Sequence, residues 1–500
     1  MKKIYIYDTT LRDGTQAEGI SLSVDEKIKI AKKLDQMGID YIEGGWPGSN
    51  PKDEEFFARI LKEKLIHAKI SAFGSTRRKG IDAKDDDNLK KIVSAKTPAA
   101  AIFGKTWDLH VTDVLRVSLQ ENLDMIASSV KFLKQNGIEV IFDAEHFFDG
   151  YKHNQEYALQ AIKSAADAGA DCLALCDTNG GSMPDEIAKI IEEVKKHVKT
   201  PIGIHCHNDG DTAVANSLIA VNAGAIQVQG TVNGYGERCG NANICSIIPN
   251  LELKMNKSCI GKKKLEKLVE LSYFVSEIVN MVPNDKQPYV GFSAFAHKGG
   301  MHVNAVEKNP VTFEHIDPIL VGNKRRILIS ELAGKSNIMM KLKEFGIRLD
   351  KDSPRVKEIL TRVKELENQG YEFESADASL KLLIQEVLGK YKPLFKLDEY
   401  RVIIGTMDND VLTSEATIKL EIGDKEEYVV AQGDGPVNAL DKALRKALVK
   451  HYPILEGMQL TDYKVRVLDA AEATAAKVRV WIESRDEDEV WDTIGVSENI

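Results

Sequence analysis

Short apolar segments alternate with longer amphipathic segments over the first half of the chain. Eight apolar segments have the length and composition of buried strands, and they span residues 4–7, 41–42, 69–73, 99–103, 139–142, 172–175, 202–204 and 226–228. The intervening segments carry apolar residues at helical spacing, as Val24, Ile28, Ala31 and Leu34 do. Eight strand–helix units in roughly 250 residues predict an α/β fold, the (β/α)8 TIM barrel.

Polar residues at the strand ends bear on the main alternative, a doubly wound open sheet. No Gly-x-Gly-x-x-Gly string, the fingerprint of a dinucleotide-binding open sheet, follows the first strand. Nearly every predicted strand ends at a polar residue, and these residues are Asp8, Glu43, Ser75, Lys105, Glu145, Asp177, His205 and Gln229. In a barrel, all eight carboxyl ends meet at one mouth, where barrel enzymes place their chemistry. The pattern therefore favours a TIM-barrel catalytic domain over residues 1–282.

The hydrophobic pattern changes after residue 282. Residues 283–390 contain loops and helical stretches without a strand repeat, which predicts linker helical subdomains. Residues 391–500 return to strands around one helix, predicted at 400–404, 415–422, 427–431, 437–450 (the helix), 462–468 and 477–483. This segment is predicted to be a separate α+β domain. It carries no cluster of catalytic residue types, so we expect it to serve binding or assembly.

The charge balance and the cysteines disfavour several classes of protein. The 500 residues include 67 Lys and Arg against 76 Asp and Glu, and this net charge of −9 disfavours a nucleic-acid or anionic-membrane partner. No apolar run approaches the ~20 residues needed to cross a bilayer, and the apolar start is too short for a signal peptide. The six cysteines form no Cys-x-x-Cys pair, as expected of reduced thiols in a cytoplasmic protein.

His205 and His207 are the strongest chemical signal in the chain. Residues i and i+2 of an extended segment face the same side, so the two imidazoles point together and Cys206 points away. Asp13 follows the first predicted strand and adds a carboxylate at the same mouth. Three such ligands leave a position open for substrate, as in a catalytic metal site. The mixture of carboxylate and imidazole suits Mn²⁺, Mg²⁺ or Zn²⁺.

Arg12, next to Asp13, adds a planar cation to this mouth. A guanidinium holds a carboxylate through two hydrogen bonds, and a metal ion chelates the keto and carboxylate oxygens of a 2-oxo acid. The alternative role of Arg12 is an ion pair with Asp8 or Glu43. The site therefore predicts an enzyme for a 2-oxo acid, and the non-catalytic alternative is a metal-dependent sensor with an inert barrel.

Several strings of residues carry a family resemblance. Residues 8–16 (DTTLRDGTQ), 205–209 (HCHND) and 234–241 (GYGERCGN) stand in this order along the chain. They resemble the signatures of the 2-isopropylmalate, homocitrate and citramalate synthases, a family of metal-dependent Claisen-condensing TIM barrels. Residues 44–51 (GGWPGSNP), 73–78 (FGSTRR) and 103–107 (FGKTW) resemble the citramalate-forming branch in particular. The resemblance covers nearly the whole chain.

The resemblance implies an acyltransferase reaction. Acetyl-CoA and pyruvate would condense, and hydrolysis of the thioester would yield (R)-citramalate and free CoA, the first step of a pyruvate route to isoleucine. It also implies a homodimer whose C-terminal domain, residues 391–500, is regulatory and binds isoleucine or leucine as effector. The alternatives are 2-isopropylmalate synthase, homocitrate synthase and a related metal-dependent acyl-CoA lyase.

The resemblance also implies roles for individual residues. The implied ligands of a divalent metal ion are Asp13, His205, His207 and Asn241. The implied catalytic residues are Arg12, Glu145 and His302, of which the histidine would serve in acid–base catalysis.

The substrate pocket is expected to be small. The resemblance implies that Arg12 and Thr178 bind the carboxylate of the acid. Phe73, Phe103 and Phe142 stand at strand ends, where they would close the pocket around an acid the size of pyruvate, or else fill the barrel. Arg77 and Arg78 provide the alternative, a distal cation for the second carboxylate of 2-oxoglutarate.

Two features depart from the family pattern. The family carries a Tyr-Glu pair a few residues after the catalytic histidine, whereas this chain carries Phe313 before Glu314 and therefore has no hydroxyl there. Relatives also run on beyond the last residue of this chain, so we expect a regulatory domain truncated at its end.

Overall fold

A computed structural model describes residues 2–330, 333–407, 411–468 and 476–498. The chain forms two compact units. The barrel unit comprises Met1–Phe295 and His315–Arg325, and the C-terminal unit comprises Ala296–Glu314 and Arg326–Ile500. The domain boundaries proposed after residues 282 and 390 stay predictions.

Eight parallel strands close into a barrel, which confirms the predicted fold class. In chain order β1 to β8 are Tyr5–Asp8, Tyr41–Gly45, Lys69–Ser75, Ala99–Lys105, Glu139–Glu145, Cys172–Asp177, Ile202–Cys206 and Gln227–Gly230. β1 pairs with β2 on one side and with β8 on the other, so the sheet has no edge and the open-sheet alternative is excluded. Most strands extend past the predicted apolar runs at their carboxyl ends, where the polar residues lie.

Helices surround the barrel and bury the main hydrophobic core between themselves and the strands. The capping box predicted before the first helix is present, because Ser23 Oγ accepts from the Glu26 amide and the Glu26 carboxylate accepts from the Ser23 amide. The helices of this unit are Val24–Met37, Pro51–Ile60, Asp87–Ser94, Leu119–Gln135, Phe147–His153, Gln155–Asp167, Pro184–His197, Ala213–Ala223, Ile244–Pro249, Lys262–Leu265 and Leu268–Ile278.

The barrel interior is filled by side chains, so open space remains at the carboxyl ends of the strands. The interior cluster combines large and small residues, namely Tyr7, Tyr41, Phe73, Ala99, Ala101, Ile141, Cys172 and Ala174. The small residues of β4 and β6 leave room for the two tyrosine rings, which stack at 5.7 Å between centroids. The Tyr41 hydroxyl donates to Glu139 at 2.6 Å, a polar contact at the opposite, amino end of the strands.

The C-terminal unit contains the predicted helices and α+β region. Its helices are Gly300–Lys308, Lys335–Glu344, Pro354–Asn368, Asp377–Val387 and Pro436–Leu448. Two antiparallel three-stranded sheets are formed by β9 to β14, which are Lys396–Met407, Val411–Ile422, Lys425–Gly433, Gln459–Val467, Val478–Arg485 and Val490–Ser497. The last of these strands was not predicted. In the described part of the chain, every helix is too short or too polar to cross a membrane.

Candidate metal and substrate site

Asp13, His205 and His207 converge at the carboxyl end of the barrel. Asp13 lies in the loop after β1, and the histidines lie at the end of β7, which β8 separates from β1. Asp13 Oδ2 is 3.5 Å from His205 Nε2 and 3.8 Å from His207 Nε2, and all three side chains are buried. Donors at such separations can surround a cation with ligand distances of about 2.0–2.3 Å.

Two buried oxygens beside this cluster have no hydrogen-bond partner among the described residues. They are Asp13 Oδ1 and Asn241 Oδ1. The Asn241 amide nitrogen faces the Tyr235 carbonyl at 3.5 Å, and its side chain lies against the Asp13 carboxylate. A buried acceptor left unpaired costs about 1–3 kcal/mol, and a bound cation would satisfy both oxygens. The donor set therefore fits a divalent metal ion.

Hydrogen bonds orient His205 as a ligand. His205 Nδ1 lies 3.0 Å from Gln229 Oε1, and Gln229 Nε2 donates to Asp143 Oδ1 at 2.9 Å. Because an amide oxygen only accepts, Nδ1 carries the proton and Nε2 presents its lone pair towards Asp13. Burial, assisted by neighbouring His207, lowers the pKa of His205 to about 3, so the imidazole is neutral at physiological pH.

Arg12 is held in place by ion pairs and by an aromatic ring. Its Nε lies 2.5 Å from Glu43 Oε2, and one terminal nitrogen lies 3.1 Å from Asp13 Oδ2. The guanidinium carbon lies 3.8 Å from the ring centroid of Phe73. The alternative role of Arg12, an ion pair with Glu43, is therefore present, while Asp8 takes no part in it. Although burial opposes it, the charges of Arg12 and the two histidines lower the pKa of Asp13 to about 2.

A cavity of about 260 Å³ opens beside the candidate metal ligands. It brings together eight of the predicted site residues, namely Arg12, Asp13, Phe73, Phe103, Glu145, Thr178, His205 and His207. It is also lined by residues without a predicted role, which are Gln16, Trp46, Asp143, Cys176 and Glu237. His302 belongs to the C-terminal unit, where its ring stacks on Phe313 at 4.2 Å between centroids.

Thr178 and Glu145 each present a polar group to this cavity. The Thr178 hydroxyl oxygen accepts a hydrogen bond from the His146 amide at 2.9 Å, so its proton is free to be donated into the cavity. Glu145 forms an ion pair with Lys105, another residue from the end of a strand. The cavity thus offers both a hydrogen-bond donor and a carboxylate.

Phe142 does not close the pocket. In β5 the residues Ile141 and Asp143 point into the barrel, so Phe142 between them points outward. Its ring fills the space beside Gly104, where an added Cβ would come within 2.7 Å of it. Phe142 therefore packs in the layer between strands and helices.

Six of the eight polar strand ends fall into two groups. Glu145 and His205 line the cavity. Glu43 and Gln229 form hydrogen bonds with Arg12 and His205, which line it. Asp8 and Asp177 instead bind their own turns: Asp8 accepts from the Thr10 amide and hydroxyl, and Asp177 accepts from Ser182. The eight strand ends therefore meet at one mouth, as predicted, but Asp8 and Asp177 serve as turn residues there.

Asp143 is the main site residue that sequence reasoning missed. It stands two positions before Glu145 in β5, so strand alternation is the signal that places both on one face. Burial and then the charge of Glu43 raise the pKa of Asp143 to about 7. A carboxyl group that is partly protonated near neutral pH therefore faces the cavity.

Arg77 and Arg78, which follow β3, do not supply the alternative distal cation. Arg77 pairs with Glu121 at 3.0 Å and donates to Ser128 at 2.9 Å. Neither Arg77 nor Arg78 lines the cavity. This argues against a distal cation for a second carboxylate.

Comparisons with known proteins define the class. Residues 3–275 match the HMGL-like family, residues 289–371 match the homocitrate synthase post-HMGL domain-like family, and residues 374–500 match the LeuA allosteric (dimerisation) domain. The barrel and its candidate divalent-metal site are therefore those of an HMGL-like protein.

Comparison with individual relatives identifies the family more precisely. The chain is 57% identical over its whole length to an (R)-citramalate synthase of Geobacter sulfurreducens and 56% identical to one of Aquifex aeolicus, in each case over 95% of the relative. It is 36% identical, over 96% of this chain and 89% of the relative, to a 2-isopropylmalate synthase of Methanocaldococcus jannaschii. The chain belongs to the (R)-citramalate synthase family, which confirms the resemblance seen in the sequence.

Removal of the Asp13 carboxylate or of the His205 support is expected to weaken metal binding. We expect Asp13→Asn to abolish measurable Mn²⁺ binding and Gln229→Leu to weaken it by roughly 10–100-fold, because the second change frees the His205 ring. Isothermal titration with Mn²⁺ measures both. Asp185→Asn, which alters an exposed ion pair with Lys189, is the control. Unchanged affinity in Asp13→Asn would contradict the site.

The Asp143 carboxyl is expected to make metal-free protein less stable as pH rises. Its folded pKa of about 7 exceeds the usual 3.8, so the folded state binds more protons and the free energy of unfolding falls between pH 4 and pH 7. The free energy of unfolding of chelator-treated protein, measured with urea at pH 5 and pH 8, should fall less in Asp143→Asn than in the wild type. The difference should be on the order of 2–4 kcal/mol. Equal losses would contradict the assignment. Burial also raises the pKa of Asp8 to about 7, but its contribution to the pH dependence is the same in both proteins and cancels when they are compared.

Proposed function

We propose that this chain acts as an (R)-citramalate synthase, which condenses acetyl-CoA with pyruvate and hydrolyses the thioester to citramalate and CoA. One observation carries the proposal. The chain matches (R)-citramalate synthases over its whole length. One cavity of about 260 Å³ is surrounded by the candidate metal donors, by the ion-paired guanidinium of Arg12 and by apolar side chains. These are the groups that a small 2-oxo acid requires.

Asp13, His205, His207 and Asn241 are the proposed metal ligands. With oxygen and imidazole nitrogen donors and no thiolate, the set suits Mn²⁺, Mg²⁺ or Zn²⁺. A bound divalent ion would supply Lewis acidity at the keto oxygen of the acid.

Arg12 and Thr178 are proposed to bind the carboxylate of the acid. The contacts with Glu43 and Phe73 fix the plane of the Arg12 guanidinium, so little conformational freedom is lost when it binds. Thr178 would donate its hydroxyl proton to the same carboxylate. Phe73 and Phe103 would contact the methyl group, since both rings line the cavity and stack on each other at 5.5 Å.

Acetyl-CoA is proposed to approach through a second, larger cavity of the barrel unit. This cavity of about 640 Å³ lies against the first and shares Arg12, Gln16 and Trp46 with it. Polar residues of the loop after β2 and the helix that follows also line it, including Ser49, Asn50 and Lys52. A thioester held there would bring its methyl group towards the bound acid.

His302 is proposed to move a proton, and Glu145 is proposed to orient a water molecule. His302 would take a proton from the methyl group of the thioester, and the methyl carbon would then bond to the keto carbon. The keto oxygen would become an alkoxide and take up the proton that His302 holds. A histidine titrates close to working pH, which suits this role. Glu145, held by Lys105, would orient the water that cleaves the carbon–sulfur bond and releases the CoA thiol. Phe313 packs on the His302 ring without offering a hydroxyl.

The C-terminal unit supports the proposal of a regulated homodimer. Its match is to an allosteric (dimerisation) domain. Strands β9 and β12 are exposed along most of their length and present apolar side chains, among them Tyr400, Ile404, Tyr463 and Val467. Exposed apolar strands are typical of surfaces that another chain covers. The proposed effector is isoleucine or leucine.

A panel of 2-oxo acids tests the proposed reaction. We expect pyruvate to release free CoA from acetyl-CoA with a kcat/KM at least tenfold above that of 2-oxobutyrate, because one methylene in a closed apolar pocket is worth ~1–3 kcal/mol. A thiol-reactive dye measures CoA, with chelator-treated enzyme as control. A preference for 2-oxoisovalerate or 2-oxoglutarate would indicate 2-isopropylmalate or homocitrate synthase instead. No CoA release with any acid would favour a lyase.

Loss of the His302 imidazole is expected to slow turnover without affecting metal binding. We expect His302→Ala to lower kcat by roughly 10²–10⁴-fold, the usual contribution of a general acid or base. Mn²⁺ affinity, measured by titration, should not change. His451→Ala in the same unit, which removes a hydrogen bond to Glu427, is the matched control. Unchanged kcat in His302→Ala would remove this residue from the mechanism.

A further inference from the structure

Trp46 completes the aromatic surface of the acid cavity. It follows β2 directly, and its indole packs edge-on against Phe73 and against Phe103, with 5.8 Å between centroids in both cases. The two phenyl rings stack on each other. These three residues form one continuous apolar surface, termed here the aromatic wall.

Trp46 also separates the two cavities. Three residues line both of them, and two of these, Arg12 and Gln16, are polar. The indole is therefore the apolar part of the partition. A group attached to C3 of the 2-oxo acid would meet the indole on one side, and the thioester would meet it on the other. Its position decides how far the acid cavity extends.

Hydrogen bonds hold both the indole ring and the backbone of Trp46. The ring nitrogen donates to Asn88 Oδ1 at 2.7 Å, and Asn88 Nδ2 donates to the Ser75 carbonyl at 2.7 Å. The backbone amide of Trp46 donates to Asp53 Oδ2 at 3.0 Å, and buried Lys27 binds the other oxygen of that carboxylate at 2.5 Å. The ring is thus anchored to the helix Asp87–Ser94, and the backbone is anchored to the helix Pro51–Ile60.

Asn88 is well suited to hold the ring. Its side chain offers one acceptor and one donor, and both are used: the acceptor by the indole and the donor by the end of β3. Asn88 itself does not line the acid cavity. Replacing it would leave a partly buried indole N–H without its partner and would allow the ring to turn.

We propose that Trp46 is a specificity-determining residue that limits the acid to a C3 methyl group, and that Asn88 is the positioning residue that holds its indole. This inference rests on the proposed function. A methylene is worth ~1–3 kcal/mol, or about 10–200-fold in kcat/KM. A shift of the aromatic wall by about one ångström would therefore remove much of the selectivity for pyruvate over 2-oxobutyrate.

The test compares Asn88→Leu with Asn88→Asp. Aspartate keeps the acceptor for the indole and loses only the donor to the Ser75 carbonyl, whereas leucine has a similar size and keeps neither group. The measurement is the ratio of kcat/KM for pyruvate to that for 2-oxobutyrate, from CoA release. We expect the ratio to fall at least fivefold in Asn88→Leu and to stay within twofold of the wild-type value in Asn88→Asp. Asn136→Leu, at an exposed helix end, is the control for a general effect of losing an asparagine.

The outcomes separate the two proposals. An unchanged ratio in Asn88→Leu, or an equal fall in Asn88→Asp and Asn88→Leu, overturns the positioning role. If a variant shows no turnover, the dissociation constants of the two acids are measured on Mn²⁺-loaded protein, and the same fivefold and twofold limits apply to their ratio. If wild-type protein releases no CoA with any acid, the proposed function fails, and the ratio of dissociation constants still tests the wall. Trp46→Ala should lower the ratio further than Asn88→Leu, and a ratio equal to wild type would overturn the role of Trp46.

Discussion

Closure of the barrel is the constraint on which the site depends. The candidate metal donors come from opposite ends of the barrel sequence: Asp13 follows β1, His205 lies near the end of β7, and His207 directly follows β7. They meet because β8 pairs with both β1 and β7. In an open sheet with the same strand order, five strands would lie between β1 and β7, whereas in the closed barrel β8 alone does. The same closure brings Gln229 of β8 beside His205 and Asp143, so one hydrogen-bonded chain orients a ligand and crosses the barrel.

Charge balance is the second requirement. Asp13, Glu43 and Asp143 are buried carboxyl groups, and each interacts electrostatically with the single guanidinium of Arg12. Burial raises the pKa of Glu43 and of Asp143, which shows how costly two further negative charges are here. A divalent ion would add two positive charges to that of Arg12 and would therefore favour the ionised forms of these carboxyl groups.

The sequence predicted the fold well because apolar runs locate the strand centres. It located the strand ends poorly, since the functional positions are polar and lie beyond the apolar run. In β5 the predicted strand stopped at Phe142, whereas the real strand continues to Glu145 and carries Asp143 into the cavity. The same early stop placed Phe142 in the pocket, although strand alternation turns it outward. Trp46 and its partner Asn88 are 42 positions apart, a contact that no local pattern reveals.

Crystals soaked in Mn²⁺ and measured at its absorption edge test the central claim most directly, namely that three side chains from distant segments hold one ion. We expect one strong anomalous peak at the mouth of the barrel, about 2.0–2.3 Å from a carboxylate oxygen of Asp13 and from Nε2 of His205 and His207. A map without a peak there, or with the ion bound by other residues, would contradict it.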